Sequence, residues 1–298
     1  MNVTFRSNGL EIAGHLHLPA EEPLGALVVG HPGTGVKEQA AGLYAQRLAS
    51  AGFVTLAYDA AYQGESEGLP RGLEDPAQRV EDLKAAVSSL TTRADVDPDR
   101  IGLLGICASG GYGLAAAATD HRIKAVGTVS AVDIARQFRL GADGTQPAPV
   151  FRSLLDAAAA ARTAEARGEG VQSFPPFPSS ASEARAGGRH VHEGWEYYCT
   201  PRGGHPRSAK TLPWSSVDRI ATFDAFAALD LLTQPLLMVA GRDAVTSWMS
   251  VEAFQRAAGP KELAWLDGAS HVDLYDKDEF VTPAVDKLAA FFTKELAK

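Results

Sequence analysis

Two cysteines in 298 residues, Cys107 and Cys199, are too few for a disulfide-built scaffold, so the fold must rest on its apolar core. Long apolar runs are missing as well: no stretch reaches the roughly 20 residues that a bilayer demands, and no membrane partner is expected. The opening residues, Met1-Asn-Val-Thr-Phe-Arg-Ser-Asn-Gly9, have no apolar centre of the kind a secretion signal carries, which makes a cytoplasmic location the expectation. Basic residues are outnumbered, 28 Lys and Arg against 36 Asp and Glu, and the two signs are interspersed, so no nucleic-acid or anionic-lipid surface is expected. A Gly-x-Gly-x-x-Gly cradle does not follow the first parallel strand, and no nucleotide cofactor is expected. His190-x-His192 with Glu193 lacks a further ligand at metal-site spacing, so the expectation is no metal.

What is present is a chain of ordinary globular composition, 45% hydrophobic, with one stretch that organises the rest: Arg100-Ile-Gly-Leu-Leu-Gly-Ile-Cys-Ala-Ser-Gly-Gly-Tyr112. Residues 101–104 read as a buried strand, and the alanine-rich residues 111–119 as a packed helix. Cys107 stands at the corner. A turn this tight requires small neighbours, and Gly105, Ala108, Ser109, Gly110 and Gly111 supply them. Such a corner lifts one side chain above the sheet and aims a helix N-terminus at it, which favours a thiolate and frees backbone N–H groups for an oxyanion. Ser109 as the reactive residue, or an inert turn around an ordinary half-buried cysteine, are the competing readings.

The remaining pattern alternates strands and helices. Residues 3–6 and 10–18 read as an edge hairpin around Ser7-Asn8-Gly9; residues 24–30, 53–58, 123–130, 234–240 and 262–266 as strands; residues 40–51, 75–92, 249–257 and 283–296 as helices. This predicts an α/β fold, a doubly wound and mostly parallel sheet whose strand ends gather the functional loops. The alternation stops over residues 134–223, and a structureless loop of that length is improbable. That segment is therefore expected to be a lid or cap insertion, dividing the core into residues 1–133 and 224–298. Its aromatic residues, Phe151, Phe174, Phe177, Trp195, Tyr197, Tyr198 and Trp214, either wall an acyl pocket or only fasten the lid.

A cysteine nucleophile needs a base. His271, in the small-residue loop Asp267-Gly-Ala-Ser-His-Val-Asp-Leu-Tyr275 after the last strand, fits best; His15, His17 and His121 lie on an edge or surface turn, and His190, His192 and His205 in the lid.

The corner resembles the α/β-hydrolase elbow Gly-x-Ser-x-Gly with cysteine in the serine place. Together with Val36-Lys-Glu-Gln-Ala40, Tyr62-Gln-Gly-Glu-Ser-Glu-Gly68 and His271-Val-Asp-Leu-Tyr-Asp276, it makes the chain similar to bacterial α/β hydrolases related to dienelactone hydrolases, and more distantly to fungal polyketide transferases. The resemblance implies an α/β-hydrolase fold with a large lid. It implies Asp243, after the strand ending at 240, as the acid that orients His271, although the frequent form places that acid one residue further on. Asp133 is the alternative, and a helix N-cap is the other reading of Asp243. It also implies that His31-Pro-Gly-Thr-Gly35 supplies an oxyanion donor at Gly33, the other donor being Ala108, with His31 structural. The implied activity is cleavage of an ester, lactone or thioester through an acyl-Cys107 intermediate, with a small-molecule acyl substrate and no cofactor. Transfer of the acyl group to an alcohol or amine, peptidase activity and an idle ligand-binding elbow are the competing functions; a homodimer is compatible with the chain.

Overall fold

Apolar and polar residues alternate on either side of Asn8-Gly9, both of which take positive φ (47° and 83°). In the computed structural model, which describes residues 1–297, this folds β1 (Asn2–Ser7) against β2 (Leu10–His17) as a two-residue hairpin. The buried run β3 (Gly25–Gly30) leads to α1 (Ala40–Ser50), then β4 (Phe53–Tyr58), α2 (Pro76–Thr91), β5 (Ile101–Ile106), α3 (Ala108–Thr119) and β6 (Ala125–Val129). The segment that interrupts the alternation is largely helical: α4 (Ile134–Leu140), α5 (Ala148–Ala166), α6 (Ala181–Ala186), α7 (Arg189–Cys199) and α8 (Ser215–Ala221), with a two-stranded ribbon of β7 (Ser173–Phe174) and β8 (Leu212–Pro213). The alternation resumes with β9 (Leu236–Gly241), α9 (Ser247–Arg256), β10 (Lys261–Leu266), α10 (Asp273–Asp276) and α11 (Asp278–Leu296).

The large sheet has the order β1-β2-β4-β3-β5-β6-β9-β10, parallel except at the β1–β2–β4 edge. Every residue of β3, β4, β5, β6 and β9 is buried because helices cover both faces. α2, α3 and α9 contribute to the core on one face, through Leu83, Tyr112 and Met249 among others. α1 and α11 pack Leu48, Leu288 and Phe292 on the other. Strand order reverses at β3, whose neighbours are β4 and β5, and functional loops collect at such a reversal. Gly30 pairs with Gly105 at the ends of β3 and β5, so the loops that follow them emerge side by side.

The sequence pattern places the last helix at residues 283–296, with Pro283 opening it. The helix instead begins at Asp278, since the Lys277 carbonyl already accepts from the N–H groups of Phe280 and Val281, and Pro283 lies inside it. Among the described residues no helix is long and apolar enough to cross a membrane.

The β5–α3 corner leaves no room at Gly105. A Cβ there would lie 2.1 Å from the Ser109 carbonyl oxygen, a backbone atom that cannot step aside. Gly105→Ala is expected to cost about 3 kcal/mol or more, read as a drop in the urea midpoint of unfolding.

Candidate active site

Cys107 occupies the corner with φ 56° and ψ −119°, a backbone conformation that side-chain-bearing residues rarely adopt and that marks functional turns. Neighbouring backbone holds it there. The Cys107 N–H donates to the Val129 carbonyl (3.0 Å), and its own carbonyl accepts from Gly110 (2.8 Å) and Val132 (3.0 Å). The half-buried side chain is met by the N–H groups of Ala108 and Gly33 and by the Tyr275 hydroxyl. These donors pull the thiol pKa down, but burial, the largest influence, pushes it up and prevails. The resting group is therefore a thiol, whereas the helix N-terminus alone had suggested a thiolate. Cys199 is free and exposed, so no disulfide joins the two.

Ser109 lies buried behind the corner, where its Oγ donates to the His31 carbonyl (2.6 Å) and accepts from Arg79 (3.1 Å). It ties the corner to the loop after β3. His31 serves that loop too: its Nε2 accepts from the Ala60 N–H at 3.0 Å, while Nδ1 lies 2.7 Å from the Pro32 carbonyl. Lys37, buried between Asp59 (2.7 Å) and Glu65 (2.6 Å), clamps the same loop to the one after β4. Gly33 is thereby held against the corner with Pro32 before it, where the resemblance has glycine.

His271 follows β10 and is buried. Its ring nitrogens face two hydroxyls: Nδ1 lies 2.6 Å from Thr246 Oγ1, and Nε2 lies 2.9 Å from the Tyr275 oxygen. Burial first, and then neighbouring His190, lower its pKa well below the ordinary histidine value, so the ring is neutral. Asp243, expected to orient this histidine, does not meet it. Two residues past Gly241 puts Asp243 on the exposed outer side of the turn, while the chain needs three further residues to come round to His271, where Thr246 stands. Asp133 is engaged elsewhere as the N-cap of α4, accepting from Ala135 (2.8 Å), Ala225 (3.1 Å) and Arg136.

Above the corner lies a cavity of about 220 Å³, with the Cys107 end on the sheet side and residues of the 134–223 segment on the other. Of the seven aromatic residues proposed for a pocket, Phe174, Phe177 and Tyr198 line it, with Phe177 and Tyr198 stacked at 5.1 Å. Trp214 backs Phe174 at 4.3 Å, Phe151 packs with Val217, and Tyr197 rests on Tyr275. Trp195 does not reach the cavity. His190, on α7, stands edge-on to His271 with ring centres 5.0 Å apart, and burial lowers its pKa to about 4. Nothing in the sequence pattern points to Thr246 or to the proximity of His190. Only Tyr275 had a usable signal, four residues beyond His271 and so one helical turn away.

Sheet order, crossover helices and a strained strand–turn–helix corner beneath a cavity make this protein an α/β hydrolase. It belongs to the dienelactone hydrolase family, whose family model matches residues 12–165. Among its relatives is the uncharacterized protein YcjY of Escherichia coli K12, 44% identical over 91% of this chain and 89% of that one. The acyltransferase drtE of Aspergillus calidoustus is 29% identical over 91% of this chain and 87% of its own. The thiohydrolase aneE of Aspergillus aculeatus is 27% identical over 89% and 83%. Among solved structures, hypothetical protein PA2218 of Pseudomonas aeruginosa superposes with a TM-score of 0.90 at 34% identity, covering 99% of this chain and 93% of that one. The α/β hydrolase GrgF of a Penicillium species shares the fold with a TM-score of 0.82 at 22% identity, covering 100% and 99%.

Proposed function

We propose that the protein cleaves a small ester, lactone or thioester through an acyl-Cys107 intermediate. The observation that carries this reading is the convergence on one thiol of two backbone N–H groups and a Tyr275–His271 hydrogen-bonded pair. With Nδ1–H donating to Thr246, the free Nε2 of His271 accepts from the Tyr275 hydroxyl, and that hydroxyl oxygen can accept the thiol proton. Deprotonation thus runs from Cys107 through Tyr275 to His271. Tyr275 suits the relay because burial and the neighbouring thiol keep its hydroxyl protonated. The sulfur then attacks the carbonyl carbon, the N–H groups of Ala108 and Gly33 hold the developing oxyanion, and His271 returns its proton through Tyr275 to the leaving oxygen or sulfur. Water, deprotonated by the same pair, attacks the acyl thioester, and Cys107 is regenerated as the thiol. Residues 134–223 act as the lid that encloses the acyl group, on a core made of residues 1–133 and 224–298.

A second reading, transfer of the acyl group to an alcohol or amine, gains support from the likeness to drtE and from the apolar wall, which limits water at the acyl-enzyme. The first experiment is intact-protein mass spectrometry after mixing with p-nitrophenyl esters and N-acetylcysteamine thioesters of graded chain length. An acyl mass on the peptide containing Cys107 is the expected result; labelling elsewhere, or turnover untouched in Cys107→Ala, would remove the cysteine from the reaction. Adding alcohols and amines then separates transfer from hydrolysis by the product formed.

The direction of the His271 shift fixes the acid side of the pH profile. A base whose pKa is lowered stays unprotonated, and competent, to lower pH than free imidazole. The acidic limb of kcat/KM is expected below the ordinary histidine value of about 6.5. A limb at or above that value would contradict a buried, neutral His271. The raised thiol pKa adds that Cys107 alkylation by iodoacetamide is slow at pH 7 and accelerates beyond the range of a free thiol.

A further inference from the structure

One polar group in the cavity wall has no part in this chemistry. Glu74, 2% exposed, lines the cavity together with Cys107, and the two oxygens of its carboxylate are unequally used. Oε1 accepts from the Tyr112 hydroxyl at 2.7 Å and is 3.5 Å from Arg79 Nε. Oε2 is buried and has no hydrogen-bond partner among the described residues. Arg79 is itself wholly committed to the protein, donating to the His31 carbonyl (2.7 Å) and to Ser109 (3.1 Å). Its charge offsets that of Glu74, so what remains for a ligand is a directional acceptor rather than a net negative field.

We propose that Glu74 Oε2 is a specificity determinant that accepts a hydrogen bond from a hydroxyl on the acyl chain, making a hydroxyacyl group the preferred substrate. The proposal rests on the hydrolase reading for the position of the acyl group, at Cys107. Phe138, Phe174, Phe177 and Leu212 make an apolar wall that demands no donor, and the polar Gln137 and His190, which also line the cavity, lie within 3.1 Å of each other. A buried acceptor left unpaired disfavours any ligand that covers it with a methylene or, worse, with another acceptor oxygen. A hydroxyl satisfies it, whereas a ketone of nearly the same size cannot. The offsetting guanidinium argues for a neutral hydroxyl over an ammonium group.

The test uses full-length Cys107→Ala protein, which cannot be acylated, and calorimetric binding of N-acetylcysteamine hexanoate thioesters bearing either a hydroxyl or an oxo group at each chain position in turn. At least one hydroxy isomer is expected to bind about tenfold or more tighter than its oxo counterpart. Adding Glu74→Gln should collapse or invert that ratio. Tyr112 and Arg79 keep the amide oxygen on their side, so the amide NH₂ takes the place of Oε2 and donates where the carboxylate accepted. Glu74→Asp retains the charge opposite Arg79 while withdrawing the oxygen, and serves if the glutamine variant fails to fold; its ratio should fall toward one. A hydroxy-to-oxo ratio near one in the parent at every position, or a ratio that survives both substitutions, would overturn the proposal. Failure of the hydrolase reading shows separately, as absence of an acyl adduct on the protein that retains Cys107.

Discussion

Cys107→Ala is expected to lower turnover of any ester or thioester substrate by about 10³-fold or more, leaving the residue of rate that binding and the oxyanion donors supply alone. The loss should be chemical rather than structural. The alanine keeps the Cβ and the strained φ of 56°, and the hydrogen bonds that hold the corner all run through backbone atoms. Circular dichroism and the urea midpoint should stay close to those of the parent. Cys107→Gly makes the same point from the opposite side: it is equally inactive, yet more stable than Cys107→Ala by about 1 kcal/mol, because glycine accepts this backbone conformation without strain. A protein that keeps a β-carbon at such a corner is giving up stability for a side-chain atom placed at the cavity. If Cys107→Ala retained full turnover, the corner would be an inert turn and the hydrolase reading would need another nucleophile. Ser109 is poorly placed to be one, with its hydroxyl buried against His31 and Arg79.

The parts of this protein that could be read from sequence are those fixed by local pattern. The run from Arg100 to Tyr112 announces its corner because a strand, a reactive side chain and a helix cannot meet in so few residues unless glycine and alanine surround the turn. The parallel strands stand out as short apolar runs since helices cover both their faces. His271 and Gly33 were legible as loop residues following strands. Thr246 was not, because the approach of the β9–α9 turn to the loop after β10 is a three-dimensional packing result, and a carboxylate two residues past Gly241 attracted the assignment. Glu74 was not legible either. It lies in the irregular chain before α2, and its placement beside Arg79 and Tyr112 depends on the stacking of α2 against α3. The arrangement of residues 134–223 was the least legible of all, as their helices are set by contacts with one another rather than by a repeating pattern.

His271→Ala is expected to slow acylation by about 10² to 10⁴-fold, the usual worth of a general base, with the Cys107 adduct still forming under forcing conditions. The informative comparison lies one step behind it. Thr246→Val, which removes the hydroxyl 2.6 Å from Nδ1 at nearly constant shape, should cost about tenfold in kcat with little change in KM, since it frees the ring to rotate and to adopt the wrong tautomer. Asp243→Asn should fall within about twofold of the parent, because its exposed carboxylate makes no contact with the ring. The reverse ranking would return the orienting role to Asp243 and require the turn after β9 to rearrange during the reaction. A hydroxyl at Nδ1 also has an electrostatic consequence. It can fix the tautomer but cannot neutralise an imidazolium as a carboxylate does, so the charged histidine is left unsupported in a buried site. Thr246→Asp tests this directly: a buried carboxylate beside Nδ1 raises the His271 pKa and moves the acidic limb of kcat/KM to higher pH, while an unmoved limb would mean that another group sets it.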